Sequence, residues 1–274
     1  MGGLEFADAS GSTLAQFLRA RRSLVQPADV GLPGGGRRRV AGLRREEVAI
    51  LAGISTDYYL RLEQGREDHP SDQVLDAIAR ALRLDPDAVA YMRNLMHHQS
   101  SRGRAAPLQE LHPGIGVLLD GWSRAAAQVV DPSLRVVAAN RLAAALLPHL
   151  RVGANTTREL FLDPQSRNLY RNWKALTAWS VRLVRASYGQ RPDPGLISLV
   201  DELIKESPRF RQLWARHDVK QEPAGVMGLN HPQLGALDLN YQQMMLPGSG
   251  HYLVAYWAEP GSASEAGLLR LAAD

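Results

Sequence analysis

Between Gly42 and Glu67 the chain reads GLRREEVAILAGISTDYYLRLEQGRE, two short amphipathic stretches divided by one glycine. Apolar residues recur at Val48, Ala49, Ala52, Ile54, Tyr59 and Leu62, the spacing of two helices that pack their inner faces together. The pattern predicts a helix from about Arg44 to Ala52, stopped by Gly53, and a second from Ser55 to about Gln64, stopped at Gly65. Glycine suits the turn because positive φ costs it little. Ser55 has a side chain able to cap the free N–H groups of a first turn. Ala49 is small where the two helices must cross closely.

A pair joined in this way projects its second helix outward, with the N-terminal residues of that helix free to enter a major groove. Under that geometry Thr56, Asp57, Tyr58 and Arg61 face bases, and Ser55 doubles as cap and phosphate ligand. Arg44 and Arg45 would grip the backbone of a duplex. A helical hairpin inside any small bundle has the same spacing, so the pattern leaves both readings open.

Charge separates them further. The net charge of +4 is modest, and the first hundred residues balance their arginines against carboxylates. Yet Arg37, Arg38, Arg39, Arg44 and Arg45 follow one another with no acid between them, a local footprint for phosphate. A solvated loop would intersperse carboxylates.

Around this centre lie three further helical patterns. They are Leu14 to about Leu24 with Leu14, Phe17 and Leu18 inward, one opening at Ser71, and one from near Pro86. Residues 1–98 therefore read as an all-α five-helix domain, and 99–106 as a small, polar linker. Residues 107–274 read as α+β. Two short strands flank Asp131-Pro132-Ser133, helices fill 168–219, and strands return around Leu237, Leu239 and Tyr241, then Tyr252, Val254 and Tyr256. The expectation is a five-stranded antiparallel sheet with helices on one face.

Such a domain tends to enclose an apolar pocket with a few polar anchors. Tyr170, Trp173, Leu176 and Ser180 are the candidate lining on the helical stretch, with Asn140, Arg185 and His217 as anchors for a carboxylate or hydroxyl. Ordinary core packing could equally absorb these residues. The stretch from Arg211 to Asp218 could instead clamp a neighbouring domain.

Other chemistries find little support. Cysteine is absent, which removes disulfides, Cys-ligated zinc and thiol catalysis. No run of about eighteen apolar residues is present, and the first residues lack the build of a signal peptide, so a cytoplasmic protein with no membrane partner is expected. His97, His98 and His112 are irregularly spaced for a metal, and Gly114-Ile115-Gly116 lacks the third glycine of a dinucleotide site. No cofactor and no enzymatic activity are expected.

The segment REEVAILAGISTDYYLRLEQGRE, followed by Pro70-Ser71 and a capped helix, resembles the Cro/repressor-type (xenobiotic-response-element, XRE) helix-turn-helix. Most such domains carry glutamine where this chain has Arg45, so a charge would take over the amide's role there. VGLPGGGRRRVAGLRREEVAILAG, with FRQLWARHDV and YLVAYWAEPGS, resembles the actinobacterial regulators with an MmyB-like C-terminal domain over roughly residues 13 to 272. The resemblance implies a PAS-like second domain that binds a small, fatty acid-like molecule. It points to a transcription regulator that binds double-stranded operator DNA as a homodimer. Two other readings stay open: a second domain that only dimerises or contacts RNA polymerase, and an enzyme fused to a DNA-binding module. Replacing Arg37, Arg38 and Arg39 with alanine should weaken binding to every duplex alike and flatten its salt dependence, because each lost phosphate contact removes about one released counterion. An unchanged salt slope would take these arginines off the phosphates.

Overall fold

The structure, a computed structural model, describes residues 14–33, 42–67, 69–100, 110–190, 193–220 and 223–273. It divides into two units: Met1–Ala105 with Arg185–Arg191 and Gln212–Gln221, and Ala106–Val184 with Pro192–Arg211 and Glu222–Asp274. The expected linker over 99–106 begins inside a helix that runs to Ser100, and residues 101–109 lie outside the described residues.

In the first unit α1 (Leu14–Leu24) is followed by a 3-10 turn, Pro27–Val30, then α2 (Arg45–Ala52), α3 (Thr56–Glu63), α4 (Asp72–Ala81) and α5 (Pro86–Ser100). Each start has a local cause. The Ser55 hydroxyl accepts from the Tyr58 N–H at 3.1 Å, and Ser71 accepts from Val74 at 3.4 Å. Between α2 and α3, Gly53 takes φ +66° and its N–H returns to the Ile50 carbonyl. Phe17, Leu18, Val48, Tyr59, Leu62, Ile78 and Met92 are fully buried together, each such side chain contributing roughly 1.5–3 kcal/mol. Ala186 and Val219, from the two later segments of the unit, join this core.

One carboxylate sits inside it. The Glu63 side chain is fully buried at the end of α3, where Arg22 of α1 donates to it at 2.6 and 3.2 Å and Arg45 of α2 at 2.6 Å. Arg22 also donates to the Leu43 carbonyl at 2.8 Å, while the Leu43 N–H donates to the Arg22 carbonyl. That close return needs Gly42, where an added Cβ would fall 2.5 Å from the carbonyl oxygens of Arg22 and Ser23.

The second unit holds α6 (Ile115–Asp120), β1 (Ala126–Val130), β2 (Val136–Ala139), α7 (Arg141–Leu146), α8 (Thr156–Leu162) and α9 (Ser166–Leu169). It continues with α10 (Trp173–Gln190), whose residues from Arg185 on belong to the first unit, then α11 (Pro194–Glu206) and α12 (Pro208–Trp214). β3 (Ala224–His231), β4 (Gly235–Met245), β5 (Tyr252–Trp257) and α13 (Ala263–Ala273) complete it. The strands form one antiparallel sheet in the order β2-β1-β5-β4-β3.

The five strands and the α+β class agree with the sequence reading, but the sheet is covered on both faces rather than one. Leu119 of α6, with Ile115 and Trp122 nearby, packs on Ala127, Val129, Leu253 and Ala255. The opposite face presents Gln128, Val130, Tyr241, Gln243, Val254 and Tyr256 in register. All five residues of β1 are therefore buried, since this strand lies inside the sheet with both faces covered.

Burial alone would raise the Glu63 carboxyl, but hydrogen bonds and charge from Arg22 and Arg45 outweigh it and hold the group below the usual carboxylate value. A depressed folded pKa means stability that is present above the unfolded pKa and lost as pH falls through the folded one. Glu63→Ala should cost about 3–5 kcal/mol at neutral pH, toward the lower end because Arg45 is half exposed. The gap between wild type and variant in denaturant titrations should close as pH falls through the acid range. A constant gap would remove the charge from the account.

Candidate functional site

Two places in the fold gather chemistry. The first is the outer surface of α3. The cap at Ser55 turns the chain so that Thr56, Asp57 and Arg61 are exposed and Tyr58 half-buried, while Tyr59 and Leu62 anchor the other side. Arg61 donates to Asp57 one turn back at 2.8 Å and lies 5.6 Å from the Tyr58 ring centre. An exposed pair of this kind is worth about 0–1 kcal/mol, so both partners can be redirected at little cost. Arg44 is exposed just before α2. Arg45 is committed on one side to Glu63 and leaves about half its side chain in solvent. Arg37, Arg38 and Arg39 lie outside the described residues.

The second is a narrow cavity of about 80 Å³ in the second unit. The sheet supplies Gln128, Val130, Met227, Tyr241, Gln243, Val254 and Tyr256. Thr156, Thr157 and Leu160 come from α8, and Leu176, Trp179, Ser180 and Leu183 from one side of α10. Leu134, Leu150 and Tyr170 close the rest. The polar atoms meet one another: Gln128 donates to the Tyr256 hydroxyl at 3.2 Å, and the Thr157 and Ser180 hydroxyls are 3.2 Å apart. Burial pushes the Tyr170 and Tyr256 hydroxyls well above the usual tyrosine value, so both remain protonated donors. The Tyr170 hydroxyl is 3.0 Å from His149, whose imidazole burial holds below its usual value.

Of the residues expected at a pocket, Tyr170, Leu176 and Ser180 stand in this wall and the others do not. Trp173 donates its indole N–H to the Leu160 carbonyl and lies under Arg167. Asn140 is saturated: its oxygen accepts from Ala127 and Ala143, capping α7, and its amide donates to the carbonyls of Leu119, Trp122 and Ala125. Arg185 and His217 belong to the first unit, where the buried guanidinium meets His217 at 3.0 Å, the Tyr91 hydroxyl and the Trp214 carbonyl. The guanidinium also stacks 3.7 Å from the Trp214 ring centre. Burial, with Arg185 next to it, pushes the His217 imidazole down to about 2, so it stays neutral beside the cation.

Sequence reasoning missed Gln128, Thr157, Trp179, Gln243 and Tyr256. The alternation through Tyr241 continues to Gln243 and offered a signal for that one residue. Among the described residues no cluster of three or more His, Cys, Asp or Glu could hold a metal, and no helix is long and apolar enough to cross a membrane.

Residues 111–272 match the family model of the MmyB-like transcription regulator ligand binding domain, and residues 36–92 match that of a helix-turn-helix domain. No curated protein matches the chain. Ser180→Trp should fill the cavity and abolish uptake of a polarity-sensitive apolar dye while circular dichroism stays native, with overpacking costing about 1–3 kcal/mol. Undiminished dye uptake would place binding outside this cavity.

Proposed function

Because the chain belongs to the family of transcription regulators with an MmyB-like ligand binding domain, we propose that a small molecule in the cavity controls how α3 engages operator DNA. That the protein is a DNA-binding regulator follows from its two matched domains. The finer reading assigns roles. Thr56, Asp57, Tyr58 and Arg61 read base edges, Ser55, Arg44 and Arg45 position the duplex through its phosphates, and Arg37 to Arg39 add affinity. The ligand is fatty acid-like in its chain, because a narrow, mostly apolar cavity suits a slender alkyl group better than a fused ring. The observation that carries this reading is the cavity itself, closed by α8 and α10 against the sheet inside the domain that matches the ligand-binding family.

The working species is a homodimer. A helix as short as α3 reaches only a few base pairs, and useful specificity needs paired half-sites about one helical turn apart. Footprinting with the full chain should protect two half-sites about 34–36 Å apart, with a dimer in solution. Changing Thr56, Asp57 or Arg61 to alanine should alter which base pairs are preferred by about 1–3 kcal/mol per contact, against a uniform loss for Arg44→Ala. A single protected half-site under a monomer, or uniform losses at all four positions, would overturn this assignment.

A further inference from the structure

The cavity wall has a chemical property that narrows its occupant. Among the described residues that line it there is no Asp, Glu, Lys, Arg or His. Its polarity comes from amides and hydroxyls: Gln128, Gln243, Thr157, Ser180, Tyr170 and Tyr256. We propose that the cavity takes an electrically neutral amphiphile, an alkyl chain ending in a hydroxyl, amide or ester, and not an ionised carboxylate. The inference rests on the ligand-binding reading above and specifies the end group of the ligand.

The physical reason is the cost of an unpaired buried charge. A carboxylate drawn into an enclosed apolar space needs a cation or several convergent N–H donors to replace its water. The arginine that sequence alone offered for this, Arg185, is engaged in the other unit. The nearest titratable neighbour, His149 against the Tyr170 hydroxyl, is held neutral by burial. The charge that both His149 and Tyr170 feel is that of Asp163, which is negative and would repel an anion. A neutral end group meets no such penalty. Amides and hydroxyls donate and accept equally, and the pairs Gln128 with Tyr256 and Thr157 with Ser180 can re-aim toward a hydroxyl or carbonyl at the cost of one exchanged bond.

The molecule does hold cations elsewhere in this unit, in an open cleft that includes Arg135, Arg151 and Arg158. Arg158 there is already paired with Glu202 and close to Glu159. An acid bound to the protein would be drawn to that cleft rather than into the apolar cavity.

The test is calorimetric titration of the full chain with decanol, decanamide and decanoate, at a pH well above the carboxylate range. Decanol and decanamide should bind, with decanoate weaker by on the order of 100-fold. Gln243→Lys, at the end of the polar row on β4, should narrow that gap by raising decanoate affinity. Decanoate binding as tightly as decanol to the wild type would overturn the neutral-ligand inference while leaving the ligand-binding reading intact. The same holds if decanoate binding is abolished by Arg151→Ala, which would place the head group in the cleft. Failure of all three to bind would overturn the ligand-binding reading and this inference with it.

Discussion

The Glu63 carboxylate is the point on which the DNA-facing surface depends. It closes α3 at the end where the helix dipole disfavours negative charge, and it is fully buried, so alone it would be destabilising twice over. Arg22 and Arg45 reverse that balance. Because they come from α1 and α2, satisfying one carboxylate fixes the far end of α3 against both neighbours. The near end is fixed by the Ser55 cap and by Tyr59 and Leu62 in the core. What is left to solvent is the strip bearing Thr56, Asp57 and Arg61. Arg45 thus has a structural duty that a glutamine at this position would meet with a neutral amide, and its exposed half remains for a phosphate.

Arg185 is a second buried cation with a different solution. Its guanidinium is held by the Trp214 carbonyl, the His217 ring and the Trp214 face, close to the Tyr91 hydroxyl. These contacts tie Arg185–Arg191 and Gln212–Gln221 into the helical unit with α5. The helix that carries Arg185 also contributes Trp179, Ser180 and Leu183 to the cavity wall.

Periodicity and caps made most of the fold legible. The first helix, the two stretches around Gly53 and the alternating strands are local patterns, and local patterns survive folding. Three helices escaped notice although two had readable caps. Asn155 caps α8, and Ser262 with Glu265 forms the start of α13, where Glu265 donates its N–H to the serine. The cavity was harder to read for a physical reason. Tyr170, Leu176 and Ser180 fall on it because α8, α10 and the sheet converge there, and no spacing in one segment encodes where another will sit. Asn140 was mistaken for an anchor because a buried amide that caps a helix and one that binds a ligand are the same residue type. Arg185 and His217 were mistaken because a charge in an apolar stretch does not reveal which unit it serves.

The central claim is that one small molecule and one operator bind the same protein interdependently. Coupling of this kind is reciprocal: whatever the ligand does to operator affinity, the operator must do to ligand affinity by the same factor. The direct measurement is calorimetric titration of the full chain with decanol, once alone and once saturated with its footprinted operator. The account predicts affinities that differ by about 5–150-fold, in either direction. Equal affinities in the two conditions would contradict it, leaving a regulator whose second domain holds a molecule without reporting it.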